Sequence, residues 1–202
     1  KAIRYGRDEH YDIISAFRKS IRGSDADSGL YWLARMLKAG EDPRFIARRL
    51  VILASEDIGM ADPTSLLIAD AAARAVEFVG LPEAQLNLAQ AVVHLSTAPK
   101  SNRVTLALTT AMQDISSAGE GRVPPHLRDA HYSGASGIGH GEGYEYPHNY
   151  PKGWIEQKYR PAEVESNIYY EPSTHGFENQ VIERMIELRE TKNVEVVPEE
   201  EN

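Results

Sequence analysis

The stretch LYWLARMLKAGEDPRFIARRLVILASEDIG, residues 30–59, decides the fold. Its apolar residues recur at intervals of three and four, which places them on one face of a helix. Gly40 can adopt the left-handed conformation that ends a helix. Asp42 and Pro43 then supply an N-cap and a first helical residue. The stretch therefore predicts two helices joined by a tight turn, with Gly59 closing the second.

The large apolar residues of this stretch have two open interpretations. They are the core of a helical bundle, or they also contact another subunit, and the sequence does not separate the two. The candidates for a subunit interface are Leu30, Trp32, Leu33, Met36, Phe45, Ile46 and Leu50.

Outward from this stretch, periodic segments bounded by Asp, Gly and Pro predict further helices over residues 8–23, 62–80, 82–98 and 101–119. Short turns between successive helices favour antiparallel packing. We expect an all-α helical bundle or layered array over residues 1–119. Residues 120–172, rich in Gly, Pro, Tyr and His, have no helical period and are expected to wrap the bundle, with a short hairpin as an option. A C-terminal helix capped by Thr174 (residues 173–192) and an acidic tail (193–202) complete the prediction.

The composition is that of a globular domain. The chain has 202 residues, 42% hydrophobic and 26% charged, with a net charge of −8 and no cysteine. Disulfides and thiolate metal sites are thereby excluded. No apolar run reaches the roughly 20 residues of a membrane helix, and no signal peptide is evident, so we expect a cytoplasmic protein without a membrane partner. Because the chain begins at Lys1 rather than Met, we expect it to be part of a longer protein.

Two groups of polar residues could contact phosphates. Arg44, Arg48 and Arg49 lie on the polar side of the second helix, where a solvated helix face is the commoner interpretation. A turn formed by Lys100, Ser101, Asn102 and Arg103 could present backbone N–H groups at a helix start. Aromatic residues interleaved with Lys152, Lys158 and Arg160 could stack single-stranded bases, although rings that pin a loop are favoured.

The sequence offers no catalytic, cofactor or metal site. GIGHGEG, residues 137–143, lacks the preceding strand and following helix of a phosphate loop. Glu56 and Asp57 point to different sides of a helix end and make a poor acid–base pair. No nucleophile elbow is present, although a triad assembled in space stays open. Five residues in one stretch could be drawn as a metal site but lack ligand spacing, and loop histidines are favoured: His126, His131, His140, Glu142 and His148.

Five strings carry a resemblance to a known family. They are residues 8–63, APKSN (98–102), VPPHLRDA (123–130), GEGYEYPHNYP (141–151) and YYEPSTHGFE (169–178). In this order they resemble the C-terminal part of the RarA/MgsA family of replication-associated recombination ATPases. The eukaryotic Werner-helicase-interacting ATPases belong to the same family. The sequence departs from the family between residues 130 and 141, so a local contact there is in doubt.

The resemblance implies a clamp-loader-like AAA+ ATPase that acts on DNA in replication, recombination and repair at stalled forks. ATP and Mg²⁺ would bind its ATPase part, which is absent here, so this fragment is not expected to be an enzyme. The chain would be the helical collar through which the family forms homotetramers. The resemblance also implies DNA and single-strand-binding protein as partners, in a bacterial, nucleoid-associated protein. The alternative is a module that contacts DNA or single-strand-binding protein, and an autonomous hydrolase is the outlying third hypothesis.

Overall fold

The computed structural model describes residues 6–129 and 141–191. These residues contain no strand, so the all-α prediction is confirmed and the optional hairpin is absent from them. The helices are α1 Arg7–Arg22, α2 Ala26–Lys38, α3 Pro43–Leu53, α4 Thr64–Phe78, α5 Ala84–Thr97, α6 Arg103–Ala118 and α7 Glu178–Glu190.

Helix boundaries in the first half follow from local chemistry. The Asp42 carboxylate accepts a hydrogen bond from the backbone N–H of Arg44, and Pro43 is the first residue of α3. Asp25 caps α2 in the same way through the N–H of Ser28. Gly40 has a φ of 80°, as its position after α2 requires. The predicted helix start at Asp42 and Pro43 and the predicted stop at Gly40 are confirmed.

The end of α3 holds a feature that the sequence did not predict. After Leu53 the chain continues as a π-helical turn, Ala54–Ile58, and stops at Gly59, which has a φ of 51°. Gly59 therefore closes the helix as predicted, but through a wider turn. Such π turns are rare and often occur at functional sites.

The chain divides into two compact units. The first consists of Lys1–Leu106 and Tyr170–Asn179, and the second of Ala107–Tyr169 and Gln180–Asn202. The sequence predicts a change at residue 119 from helices to an irregular segment of the same domain, and these domain bounds stay a prediction. The division into the two units falls within α6. Residues 170–179 belong to the first unit, where they contact Ala61, Pro99, Lys100 and Ser101.

The first unit contains a hydrophobic core made by α1 to α5. Phe17 from α1, Leu50 from α3 and Leu88 from α5 are fully buried there. Helix α4 packs on α3 and α5, and α2 packs on α1 and α5. Gly29 permits the close approach of α2 to α5, because a Cβ atom there would lie 2.9 Å from Val92 Cγ1. Each buried Leu, Ile or Phe side chain contributes about 2 kcal/mol to folding.

The second unit contains most of α6, the irregular segment and most of α7. The described part of the irregular segment has only short 3₁₀ turns, at Pro125–Leu127, Pro147–Asn149, Pro151–Gly153 and Ala162–Val164. The predicted cap at Thr174 is wrong, because α7 begins at Glu178. Gly176 has a φ of 52°, and this left-handed residue interrupts any helix that starts at Thr174.

Candidate functional site

The turn after α5 and residues 170–178 contact each other in the first unit. The His175 ring Nδ1–H donates to the carbonyl oxygen of Lys100 at 2.8 Å. The backbone N–H of Phe177 donates to the carbonyl oxygen of Ala61, also at 2.8 Å. Two of the strings that carry the family resemblance, APKSN and YYEPSTHGFE, are thus brought together by the fold.

A buried carboxylate fixes this contact. Glu178 is 0% exposed. Its two oxygens lie 3.0 Å from Ser101 Oγ, and it also accepts the backbone N–H of Ser173 at 2.6 Å and the Tyr170 hydroxyl at 3.3 Å. Burial, reinforced by the neighbouring Glu178 carboxylate, raises the pKa of Tyr170 to about 12. The Tyr170 hydroxyl therefore remains a neutral donor at physiological pH.

Gly176 lets the two segments approach this closely. A Cβ atom at this position would lie 2.5 Å from Pro99 Cγ and would also collide with the carbonyl oxygen of Ala61. Its left-handed backbone would strain any other residue. A glycine is required here for packing and for backbone conformation.

The Lys100 side chain is used for contacts within the chain. Its ammonium donates to Ser24 Oγ at 3.1 Å and to the carbonyl oxygens of Ser96 at 3.0 Å and Ala98 at 2.6 Å. These bonds use its three protons and satisfy carbonyls at the C-terminal end of α5. Burial lowers the pKa of Lys100, partly offset by the charge of Asp57.

The four residues of the predicted phosphate-contacting turn therefore fall into two pairs with different contacts. Lys100 and Ser101 are committed to contacts within the chain, whereas Asn102 and Arg103 are exposed. Asn102 and Arg103 line a groove of about 520 Å³ that also includes Arg22 and His175.

The adjacent carboxylates Glu56 and Asp57 of the π turn point to arginines of α1. Arg22 Nε donates to Asp57 Oδ1 at 2.7 Å, and Arg18 Nη2 donates to Glu56 Oε2 at 3.3 Å. The hydrogen bond from Asp57 raises the pKa of Arg22, against the opposing effect of burial. The backbone carbonyl of Asp57 also accepts the N–H of Ser101 at 2.8 Å. The π turn is thus hydrogen-bonded both to α1 and to the turn before α6. Glu56 and Asp57 therefore have a structural role.

The three predicted arginines of α3 lie in different surroundings. Arg44 pairs with Glu77 at 2.5 Å, and Arg48 lies 3.9 Å from an Asp42 oxygen. Arg49 stacks over the Phe45 ring at 5.2 Å, and its buried Nε has no partner. Arg44 and Arg48, but not Arg49, line a groove of about 580 Å³ beside α4.

The predicted interface residues fall into two groups that differ in how deeply their side chains are buried. Leu33, Met36, Ile46 and Leu50 are buried in the core of the first unit, and Leu30, Trp32 and Phe45 are partly buried against it. Side chains of the buried group are already surrounded by their own chain, and their contact with another subunit stays a prediction.

Exposed apolar residues on α4 and α5 were missed by the sequence analysis of the interface. Phe78 at the end of α4 is 93% exposed, and Leu86 near the start of α5 is 76% exposed. Leu86 lines a groove of about 600 Å³ between α2 and α5, together with Leu30 and Leu37. The density of apolar residues in the turn EFVGLPE, residues 77–83, was the signal that could have identified this region.

Several sequence features fall wholly or partly outside the described residues. His131, His140, Gly137 and Gly139 lie there, as does the stretch that departs from the family. Among residues 6–129 and 141–191, no three or more His, Cys, Asp or Glu side chains are grouped to hold a metal ion. None of the helices described is both long and apolar enough to cross a membrane.

Comparison with known proteins points to one family. A family model described as the C terminal of the MgsA AAA+ ATPase matches residues 23–189. An uncharacterized AAA domain-containing protein of Mycobacterium tuberculosis is 57% identical over 190 residues, which cover 93% of this chain and 42% of that protein.

Relatives with names that state a role are also similar. Replication-associated recombination protein A of Bacillus subtilis is 50% identical over 169 residues, covering 84% of this chain and 40% of that protein. ATPase WRNIP1 of Dictyostelium discoideum is 39% identical over 167 residues, covering 82% of this chain and 19% of that protein. The chain thus spans about two fifths or less of these relatives.

Proposed function

The chain belongs to the MgsA AAA+ ATPase C-terminal family, and from this premise we propose that it is the domain through which a clamp-loader-like ATPase assembles as a homotetramer. The whole protein would act on DNA in replication, recombination and repair at stalled forks, in the bacterial nucleoid. We further propose that ATP and Mg²⁺ bind the part of the relatives that this chain does not span, and that catalysis belongs to that part.

The observation that carries this proposal is the exposed apolar surface of α4 and α5. Phe78 and Leu86 present most of their side chains to solvent, and Val79 and Leu81 between them are about half exposed. Large contiguous apolar patches on a folded domain mark interaction sites. The first unit already buries a full set of core residues beneath these helices, so the patch is surplus to folding.

The chemistry of the α2–α5 groove favours an apolar partner. Its lining includes Leu30, Leu37, Leu86 and Ala89, and Lys38 is the charged residue among them. An identical chain presents the same apolar patch, so two copies can bury it in a self-complementary contact. A homo-oligomer therefore satisfies this surface without a second partner species.

Mutation of Leu86 tests the proposal. We expect Leu86→Glu to shift the protein to a smaller assembly in sedimentation velocity, since a carboxylate would be desolvated in the contact. The matched control is Ile168→Glu, because Ile168 is 65% exposed and belongs to the second unit. Equal sedimentation coefficients for wild type and both variants, with unchanged circular dichroism, would show that α5 is not part of the interface.

The alternative function, contact with DNA or single-strand-binding protein, is favoured by one observation at the α6 start. The Arg103 side chain is exposed and makes no hydrogen bond or ion pair with another described residue. Arg44 and Arg48 would be further contacts. We expect Arg103→Ala to weaken binding to a labelled forked DNA and to flatten its salt dependence if this function operates. Identical salt dependence in Arg103→Ala and wild type would exclude Arg103 as a contact.

A further inference from the structure

We propose that one surface of the second unit binds a basic amphipathic helix of a partner protein. The surface has two parts. The acidic pocket is a cavity of about 270 Å³ between α6 and residues 119–121 and 160–169. The α6 stripe consists of Leu108, Met112 and Ile115 on the adjoining face of α6. This inference does not depend on the proposed assembly function, because its residues belong to the other unit.

The acidic pocket has an apolar interior. Its apolar lining side chains are those of Ala111, Ile115, Pro161, Val164 and Tyr169. Sites for drug-sized ligands and cofactors usually enclose roughly 300–1,000 Å³. The acidic pocket is smaller than this range, so a single side chain of a partner fills it better than a whole cofactor does.

The walls of the acidic pocket are fixed before any ligand arrives. The Asp114 carboxylate accepts the Asn167 side-chain amide at 2.7 Å and the Tyr169 hydroxyl at 2.8 Å. The Arg160 guanidinium lies 5.3 Å from the centre of the Tyr169 ring. It also donates to the backbone carbonyl oxygens of Asn167 at 2.7 Å and Glu165 at 2.6 Å. Rigid walls reduce the ordering that binding would otherwise require.

Two carboxylates of the acidic pocket are available to a ligand. Glu120 and Glu163 are exposed, and their side chains have no hydrogen-bond or ion-pair partner among the described residues. Arg160 is the cation of the lining, and backbone carbonyls already bind it. A Lys or Arg residue of a partner can lay its alkyl stem on the apolar walls and place its charged head beside these carboxylates. Charge complementarity therefore favours a basic side chain, as does the net charge of −8.

The α6 stripe extends the surface beyond the pocket. Leu108, Met112 and Ile115 follow each other at intervals of four and three, and they are 63%, 60% and 56% exposed. No charged residue lies between Arg103 and Asp114 in the sequence. Charged residues are depleted in this way at the centre of protein interfaces. Because Ile115 also lines the acidic pocket, the two parts are continuous, and an apolar helix face of a partner fits the stripe.

A neighbouring cationic groove orients the partner helix. Arg122 and Lys158 line this groove, which shares Gly121 and Pro161 with the acidic pocket. A basic helix is repelled from that side and is therefore directed along α6. The stripe spans seven residues, or about 10 Å of helix. The partner helix should thus carry apolar residues one and two turns away from the basic residue in the pocket.

The first test uses the full chain and a fluorescein-labelled peptide of about 18 residues, long enough to form a helix. The peptide contains only Leu, Ala and Lys, with its leucines on one helical face. A control peptide has the same composition in an order that gives no apolar face. In fluorescence anisotropy at about 0.15 M salt, we expect the patterned peptide to bind at least tenfold more tightly. Equal affinity for the two peptides would overturn the proposal, because net charge alone would explain it, and so would no measurable binding.

A second test removes the two carboxylates. Glu120→Gln/Glu163→Gln should weaken binding of the patterned peptide about tenfold and flatten its salt dependence. The matched control, Glu183→Gln/Glu190→Gln, removes two exposed carboxylates of α7 in the same unit and should leave both quantities unchanged. Equal affinities of the two double variants would contradict a role for the acidic pocket.

A third test removes the α6 stripe. Leu108→Ala/Met112→Ala should weaken binding about tenfold with an unchanged salt dependence, since it removes only apolar area. Leu67→Ala, exposed on α4 of the first unit, should bind as wild type does. A smaller assembly of Leu108→Ala/Met112→Ala in sedimentation velocity would overturn the proposal, because a second copy would then cover the stripe. A monomeric wild type that binds the patterned peptide would contradict the assembly proposal alone.

Discussion

Each of the two units is stabilised internally by a different kind of interaction. In the first unit, α1 to α5 bury Phe17, Ile46 and Leu50 completely. In the second unit, none of the described residues is fully buried. Its irregular segment is instead held by polar contacts, such as those of Arg160 and Gln157 with backbone carbonyls.

This difference explains what each unit can do. Apolar burial is worth more per residue than a net hydrogen bond, about 2 kcal/mol against about 1 kcal/mol. The first unit therefore provides a stable scaffold, on which the proposed assembly would depend. The second unit provides backbone and side-chain groups at the surface, where loops commonly carry recognition. Four predictions test this comparison, from the largest effect to the smallest.

The largest effect should come from the core of the first unit. Leu50→Ala leaves a cavity among fully buried side chains and should lower the free energy of unfolding by about 3 kcal/mol. Trp32 lies in the first unit and Trp154 in the second, and they are the two tryptophans of the chain. Urea unfolding in a Trp154→Phe background follows the first unit through Trp32 fluorescence.

Leu67→Ala is the control for this core substitution, because Leu67 is exposed on α4. Its effect should stay within about 0.5 kcal/mol. If Leu50→Ala cost no more than Leu67→Ala, the first unit would not depend on apolar burial, and the comparison would fail.

The next largest effect should come from the polar contact inside the first unit. Glu178→Gln replaces a buried acceptor of three donor groups with an amide, and should destabilise by about 2 kcal/mol. Glu183→Gln, on the exposed part of α7, should be neutral. Hydrogen exchange of residues 170–178 is the direct readout, and unchanged exchange in Glu178→Gln would show that the carboxylate does not hold this segment.

A smaller effect is expected from the polar contacts of the second unit. Asp114 accepts the Asn167 amide at 2.7 Å and the Tyr169 hydroxyl at 2.8 Å. Asp114→Ala should destabilise by about 1.5 kcal/mol because both donors lose their acceptor. Trp154 fluorescence in a Trp32→Phe background follows this unit. Tyr169→Phe should cost about half as much, and a loss as large as that of Leu50→Ala would erase the contrast between the units.

The smallest effect is a pH dependence in the first unit. Burial alone would raise the pKa of Asp62, but hydrogen bonds from Ser65, Thr64 and His94 lower it below 3.8. The folded state thus binds the proton more weakly than the unfolded state. The stabilisation from Asp62 is fully present at pH values above its ordinary pKa of 3.8. It is lost as the pH falls through the lowered pKa of the folded state.

Urea midpoints measured at intervals from about pH 6 to about pH 2.5 isolate this contribution, because that window spans the ordinary aspartate pKa. Wild type should lose more stability toward acid than Asp62→Asn, which keeps its shape but cannot titrate. Parallel pH profiles for the two proteins would contradict the role of Asp62. The difference between profiles, rather than wild type alone, is informative because Asp25 and Glu187 also have lowered pKa values.

Local sequence signals predicted the first unit well because its elements depend on near neighbours. The cap at Asp42 and the turn at Gly40 are set within a few residues, and these predictions are confirmed. The π turn after Leu53 was not predictable in this way. It depends on Arg18, Arg22 and Ser101, which approach from distant positions.

The candidate sites were harder to predict for the same reason. From the sequence, Lys100 is expected to be an exposed cation. In the fold, its ammonium donates hydrogen bonds to Ser24, Ser96 and Ala98. The predicted start of α7 was wrong because Gly176 adopts a left-handed conformation, in close contact with Ala61 and Pro99, which are distant in the sequence. In the irregular segment of the second unit, no helical period exists to reveal that Arg122 and Lys158 share a groove.

The mass of the full chain in solution tests the assembly proposal most directly. Sedimentation equilibrium over a wide concentration range should give a tetramer at high concentration that dissociates on dilution. That result would assign assembly to these residues and direct mutagenesis to Phe78 and Leu86. A monomer at every concentration would contradict the proposal, since the exposed apolar surface of α4 and α5 would then not join identical chains.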